Sequence, residues 1–400
     1  MSIGDGVFRA RSALSDRRKR ALHRLRHSPH GSLPPRGDVF NLDLHIAVIA
    51  DVRVALESRG ISLTSWSLSG HGWVFDRERD PVAVVNERTW LGLSPELVEA
   101  FQRAYGTYLR EFRGFIATYP PGFALLYEGF PRPTLAVCAT RYEWPFTHDA
   151  ARWRWLDASL REGVAAQSLY LVANNRADAD YLTNYTGVRP AHIPSGCAYI
   201  APGYSGRKPA AVVSSKRDVL ARSICDALEY EAVPLRRELG KRFKWAELYE
   251  YRALVVMPYN VSIMSISEHY SACAPIYVPD RAFLKQLMAQ HPDEILSDLS
   301  FSQVTGRPAA DRPDAELDLN DPRDEQMVDW FLDRADFYDP TWMPHVRTFE
   351  SWSHLDHLLA TDDQLAISQE MAADKRGRLA RIAELWDEVE WLARVASPAS

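Results

Sequence analysis

Short apolar runs alternate with longer stretches of helical periodicity twice along this chain, and no other feature constrains its fold as much. Strand, helix and strand in succession join through right-handed crossovers, so the repeat implies parallel sheets with helices on their faces. In the first half, the apolar run at 42–50 reads as a strand buried on both faces and closed by Asp51. A helix over 52–59 follows and stops at Gly60. Further strands are expected at 61–68, 115–119, 134–140, 168–173 and 191–194, with helices at 94–113, 153–163 and 176–185 between them.

The segment 201–210 is rich in Pro and Gly and reads as an interdomain linker. Beyond it the pattern restarts, with strands at 211–213, 251–257 and 275–278 and helices at 218–231 and 262–271. Two α/β domains, 37–200 and 211–325, are therefore expected, and 400 residues suffice for both. An Asp- and Pro-rich loop at 306–325 leads into a helical segment, 326–400, expected to pack back on the domains.

Residues 1–36 form a basic appendage carrying Arg9, Arg11, Arg17, Arg18, Lys19, Arg20, Arg24 and Arg26, with Leu14, Leu22 and Leu25 interleaved. It reads either as a solvated tail or as a helix that touches an anionic membrane surface. The whole chain has a net charge of -6, which speaks against nucleic acid as a partner. The four cysteines, Cys138, Cys197, Cys225 and Cys273, lie far apart and fit neither a zinc site nor a disulfide scaffold. No apolar run approaches the ~18 residues of a membrane span. A cytoplasmic protein is expected, peripheral to the inner face of the membrane if the tail binds lipid.

Three segments, in order, resemble the GT-B glycosyltransferases. The first is Leu171-Val172-Ala173-Asn174 followed by Ile193-Pro194-Ser195-Gly196, similar to the close of the first domain in that superfamily. The second is Ala211-Val212-Val213-Ser214-Ser215-Lys216-Arg217, a strand running into a basic turn. The third runs from Val255-Val256-Met257-Pro258-Tyr259-Asn260 through Glu268 to Ala274-Pro275-Ile276-Tyr277-Val278, and resembles a donor-site signature. The chain departs from the pattern at Asn260, where many retaining members carry glutamate, and at Ala274 in place of glycine. A turn of Asp51-Val52-Arg53 stands where a glycine-rich loop is common.

The resemblance implies two Rossmann-like domains facing a central cleft, and transfer of a sugar from a nucleoside-diphosphate sugar to an acceptor hydroxyl. It also implies that no metal or other cofactor is needed, because cations and helix N-termini neutralise the diphosphate. Lys216 and Arg217, with Ser214 beside them, would grip phosphate. Ser262 and Ser265, opening the helix after Pro258, are either caps or further phosphate ligands. Glu268 would accept from the donor ribose hydroxyls, and Asn260 would reach the sugar or phosphate.

On the acceptor side an inverting enzyme needs a base. Asp51, at the expected carboxyl end of the first strand, and His71, in the turn after the second, are the candidates. The same register sends Asp43 and His45 to the wrong end. Tyr119 and Arg141 are expected to line the acceptor groove. The acceptor itself, whether a glycan, a lipid-linked precursor or a small molecule, stays open. A sugar-nucleotide epimerase and a non-catalytic nucleotide-sugar-binding protein are the alternatives. GxxxxGK[ST], HExxH and GxSxG motifs are all missing from the sequence.

Overall fold

A computed structural model describes residues 36–201, 203–302, 304, 306, 318–321 and 324–396; the basic tail and most of the 306–325 loop lie outside them. The first half builds β1 (Val39–Asp43), β2 (Leu63–Ser67), β3 (Gly114–Ala117), β4 (Thr134–Cys138), β5 (Leu169–Ala173) and β6 (Ala191–His192). These pair in the order β2-β1-β3-β4-β5-β6, every pair parallel. The helices α1 (Ile46–Glu57), α2 (Pro95–Leu109), α3 (Ala150–Ala165) and α4 (Arg176–Thr186) connect them.

The local signals act as the sequence suggests. Ser94 caps α2, accepting from the Leu97 amide, with Pro95 in the first turn where no intrahelical donor is needed. Asn175 caps α4, and Gly187 ends it in the left-handed region at φ 73°.

The second half holds a separate sheet of β7 (Lys208–Ser214), β8 (Ala232–Pro234), β9 (Tyr251–Val256), β10 (Ile276–Pro279) and β11 (Arg347–Phe349), in the order β11-β10-β9-β7-β8 and again all parallel. Its helices are α5 (Asp218–Ala227), α6 (Leu235–Glu238), α7 (Trp245–Leu248), α8 (Met264–Ser271), α9 (Arg281–Gln290), α10 (Glu325–Leu332) and α11 (Trp352–Thr361). Two sheets, six and five strands, make the double α/β architecture expected from the sequence.

The long α12 (Gln364–Asp387) and the short α13 (Glu390–Ala396) then return across both domains. Lys375 donates to the Ser271 carbonyl of the second domain, and Arg378 to the Ser195 carbonyl of the first. Trp391 is fully buried and donates through its indole to the Pro133 carbonyl. Among the described residues, no helix is long and apolar enough to cross a membrane.

Three expectations need correction. The run at 42–50 is not one strand: β1 ends at Asp43 and α1 begins at Ile46, so Asp51 lies inside a helix. Ile46, Ala47, Val48, Ile49 and Val52 are all buried, so α1 shows no polar face in its opening turns and imitates a buried strand. The helix expected to reach 231 ends at Ala227, and the residues after it form β8, α6 and α7. The segment after 326 is not wholly helical, because Arg347–Phe349 adds β11 beside β10 and belongs to the second sheet.

Candidate functional site

Parallel α/β sheets bind ligands beyond the carboxyl ends of their strands. Here the two carboxyl edges face one another. Arg141, just beyond β4, donates through Nη1 to the Leu299 carbonyl at 3.0 Å and through Nη2 to Ser262 Oγ at 3.4 Å, both in the second domain. Tyr119, just beyond β3, is held above the ordinary phenol range by burial, with Asp298 and Tyr259 of the second domain adding to the effect.

The true end of β1 brings His45 to this edge, where it stands as the residue before α1. Its ring lies 5.7 Å from that of Tyr119. Nδ1 is buried and has no hydrogen-bond partner, and burial lowers the imidazole to about 4, with His71 contributing. The ring is therefore neutral at pH 7 and able to accept a proton. Thr118 Oγ1 beyond β3 and Thr140 Oγ1 beyond β4 are likewise buried without partners. In the sheet register Asn41 pairs with Ile116, which sets Asp43 level with Thr118, so these groups crowd one edge. Buried polar atoms are ordinarily satisfied, and His45, Thr118 and Thr140 are exceptions at one strand edge.

His45 was legible as a residue but not as a site, since its address depended on where β1 ended. Asp51 has a different occupation from the one expected. Its carboxylate accepts from the Gly196 and Cys197 amides at 3.1 and 2.7 Å, tying α1 to the last turn of the first domain. Burial raises it to about 6 against the pull of those two amides. His71 does sit in the turn after β2, exposed, before a single 3₁₀ turn at Gly72–Phe75.

Arg141 is fully buried, ion-paired with Asp178 at 2.6 Å and stacked over Phe331 at 4.6 Å. Its donors are divided between Asp178 of its own domain and Leu299 and Ser262 of the second.

On the donor side, Ser214 ends β7 and its carbonyl accepts from Met257. Lys216 Nζ bonds Ser297 Oγ at 2.9 Å and Asp298 at 2.6 Å, while Arg217 is exposed, 3.8 Å from Asp293. Asn260 turns its Oδ1 onto the Val261 amide. Ser262 precedes α8 rather than opening it, and Ser265 lies half-buried in the first turn. Ser262 meets Arg141.

Glu268 is buried in the second half of α8 and accepts from the Tyr199 hydroxyl at 2.7 Å; burial raises it to about 7. No hydrogen bond or ion pair joins Lys216 to Glu268 among the described residues, so the expected donor set is brought together only in part.

The start of α8 is itself covered by the first domain. Asn174 Nδ2 reaches Ser195 Oγ at 3.0 Å and Met264 Sδ at 3.2 Å. Beside it lies a cleft of about 320 Å³, counting space open to solvent, lined by Asn174, Asn175, Ser195, Ser262, Ser267 and Asp336 among others.

Sequence reasoning missed a second cationic group. Arg236 and Arg237 lie in α6, directly beyond the carboxyl end of β8, exposed; burial raises the Tyr259 phenol, and Arg236 is near enough to pull against that rise. The signal was the Arg-Arg pair, hidden because the sequence suggests no element between 231 and 251, where β8 and α6 lie.

No family model matches the chain, and no curated protein does. Among solved structures it is similar to the glycotransferase of kitacinnamycin at 13% identity, over 90% of this chain and 100% of that one, with a TM-score of 0.43. It is similar to the spinosyn rhamnosyltransferase SpnG at 12% identity, over 88% and 99%, TM-score 0.40. The third, the glycosyltransferase SnogD from Streptomyces nogalater, gives 13% identity over 90% and 98%, TM-score 0.39.

Proposed function

We propose that this chain transfers a sugar from a nucleoside-diphosphate sugar, held on the second domain, to an acceptor hydroxyl held on the first. The observation that carries the reading is His45: a neutral imidazole with a buried, unpartnered nitrogen at the strand edge facing the other sheet. A base there takes the acceptor proton as the hydroxyl oxygen attacks the anomeric carbon. The bond from that carbon to the diphosphate breaks, and the leaving nucleoside diphosphate carries away one more negative charge.

Arg236 and Arg237, beyond β8, and the amides opening α8 are assigned to meet that charge. Lys216 joins them only by exchanging Asp298 for phosphate. Charge compensation in this proposal comes from the chain and not from a divalent ion, so a chelator should leave turnover unchanged.

One observation favours the rival reading of a nucleotide-sugar-binding protein without transfer: Arg141, expected in the acceptor groove, already donates to Asp178, Leu299 and Ser262. The two readings separate in one experiment. The full chain is screened by thermal shift against UDP-, GDP-, ADP-, dTDP- and CMP-sugars, and nucleotide release is then followed with an acceptor library. Under our reading Arg236→Ala weakens the shift. His45→Ala keeps the shift but loses turnover by about 10²–10⁴-fold, the usual contribution of a general base. A chain that no sugar nucleotide stabilises, or a His45→Ala variant that turns over like wild type, removes the proposal.

A further inference from the structure

Beyond α6 the chain runs through Lys241, Arg242 and Lys244, all exposed. With Arg236 and Arg237 they place five cations within nine residues, against the single carboxylate of Glu238, which accepts from Tyr251. None of the five forms an ion pair among the described residues. Elsewhere in the same domain Lys216, Arg217, Arg281 and Lys285 are each matched to an acid. In a chain of net charge -6, five crowded, unmatched cations repel one another and raise a local positive field at the rim of the cleft.

Aromatic rings interleave with the charges. Phe243 lies 6.3 Å from Trp73, Trp245 lies 5.6 Å from Phe75, and both Phe75 and Trp245 meet Tyr199. Trp73 and Phe75 belong to the turn after β2, so the rim spans both domains on the side where β2 and β8 are the edge strands. All five rings are partly buried and keep some exposed surface.

Resting on the transferase reading above, we propose that this rim selects an anionic, amphipathic acceptor. Its phosphate or carboxylate lies on Lys241, Arg242 and Lys244, and its apolar body lies against Trp73 and Phe243. The position argues for a substrate over a membrane: the rings pack on one another across the domain gap, and the cations continue from α6 at the cleft edge. Charge of this kind steers an anionic molecule in and holds its orientation, and salt screens it.

The test uses the full chain and two probes, 1-naphthyl phosphate and 1-naphthol, with binding read by tryptophan fluorescence quenching and calorimetry. The phosphate should bind at least about tenfold more tightly than the alcohol at low salt, with the difference shrinking as salt rises. A Lys241→Ala/Arg242→Ala/Lys244→Ala variant should lose that difference, while keeping the sugar-nucleotide thermal shift of the parent. A Lys216→Ala variant should keep it. Equal affinity for the two probes overturns the inference, and so does loss of phosphate binding in Lys216→Ala, which would place the probe in the donor site.

Vesicles of equal phosphatidylglycerol and phosphatidylcholine give the remaining arm. If the triple variant loses vesicle binding but not naphthyl phosphate binding, the rim is a membrane patch and the acceptor assignment fails. Failure of the transferase reading looks different: no sugar nucleotide stabilises the chain, whatever the probes do.

Discussion

At the scale of single residues, the groups that matter are buried acids and bases whose partners were chosen by folding. Asp178 is fully buried and is matched by Arg141, with Asn175 as a further donor. Removing one member of such a pair leaves an uncompensated charge, so Arg141→Met should cost about 3–5 kcal/mol in denaturant unfolding. Glu268 behaves differently because it has no cation beside it. Between its ordinary 4.5 and the folded value of about 7, the unfolded chain releases a proton that the folded chain keeps. Its contribution to stability is therefore greatest at low pH and falls as pH rises through 7. Glu268→Gln should flatten the fall of Tm from about pH 5 to about pH 8 and leave the variant the more stable at the alkaline end. A variant whose Tm follows the wild-type profile over that range would show that burial does not hold the proton.

At the scale of elements, α1 decides which side chain is offered to the cleft. Because the helix starts at Ile46, His45 takes the strand end, and Asp51, one and a half turns in, binds the Gly196 and Cys197 amides instead. The three candidate titrations are well separated: about 4 for His45, about 6 for Asp51 and about 7 for Glu268. An imidazole lowered by burial stays deprotonated until the pH drops far below 6.5, so the kcat/KM profile should be level from about pH 8 to about pH 5 and fall only near 4. A fall centred near 6 would give the base to Asp51. The same depression means that His45 lowers stability as pH drops from 6.5 towards 4, where only the unfolded chain takes up the proton.

At the scale of the whole molecule, the contacts that join the two domains cover the start of α8, the place we propose for the diphosphate. Asn174 closes over Met264 at the start of α8, and Arg141 reaches Leu299 and Ser262. Under that proposal ligand entry requires the domains to part, with the stretch between β6 and β7 and the α12 crossover as the places where the chain passes between them. A disulfide between cysteines placed at Asn174 and Met264, whose side chains already meet at 3.2 Å, formed by mild oxidation in a Cys225→Ser background, should abolish stabilisation by any sugar nucleotide. A cross-linked chain that still responds would mean that the donor binds without opening the cleft.

Most of the alternation of strands and helices was legible, because period and turn chemistry are local properties of a chain, although the expected linker at 201–210 runs into β7, which begins at Lys208. The boundary between β1 and α1 was not, since a helix buried on nearly every side has the same apolar content as a buried strand. Nor was β11, three residues whose pairing with β10 depends on contacts seventy positions away. Partnership is the other thing that only the tertiary structure decided. Sequence placed Lys216, Arg141 and Glu268 in useful neighbourhoods, but Asp298, Asp178 and Tyr199 reach them from distant segments and take up their charges and hydrogen bonds. A polar side chain is claimed by whichever complementary group the fold brings within 3 Å, and that group need not be close along the chain.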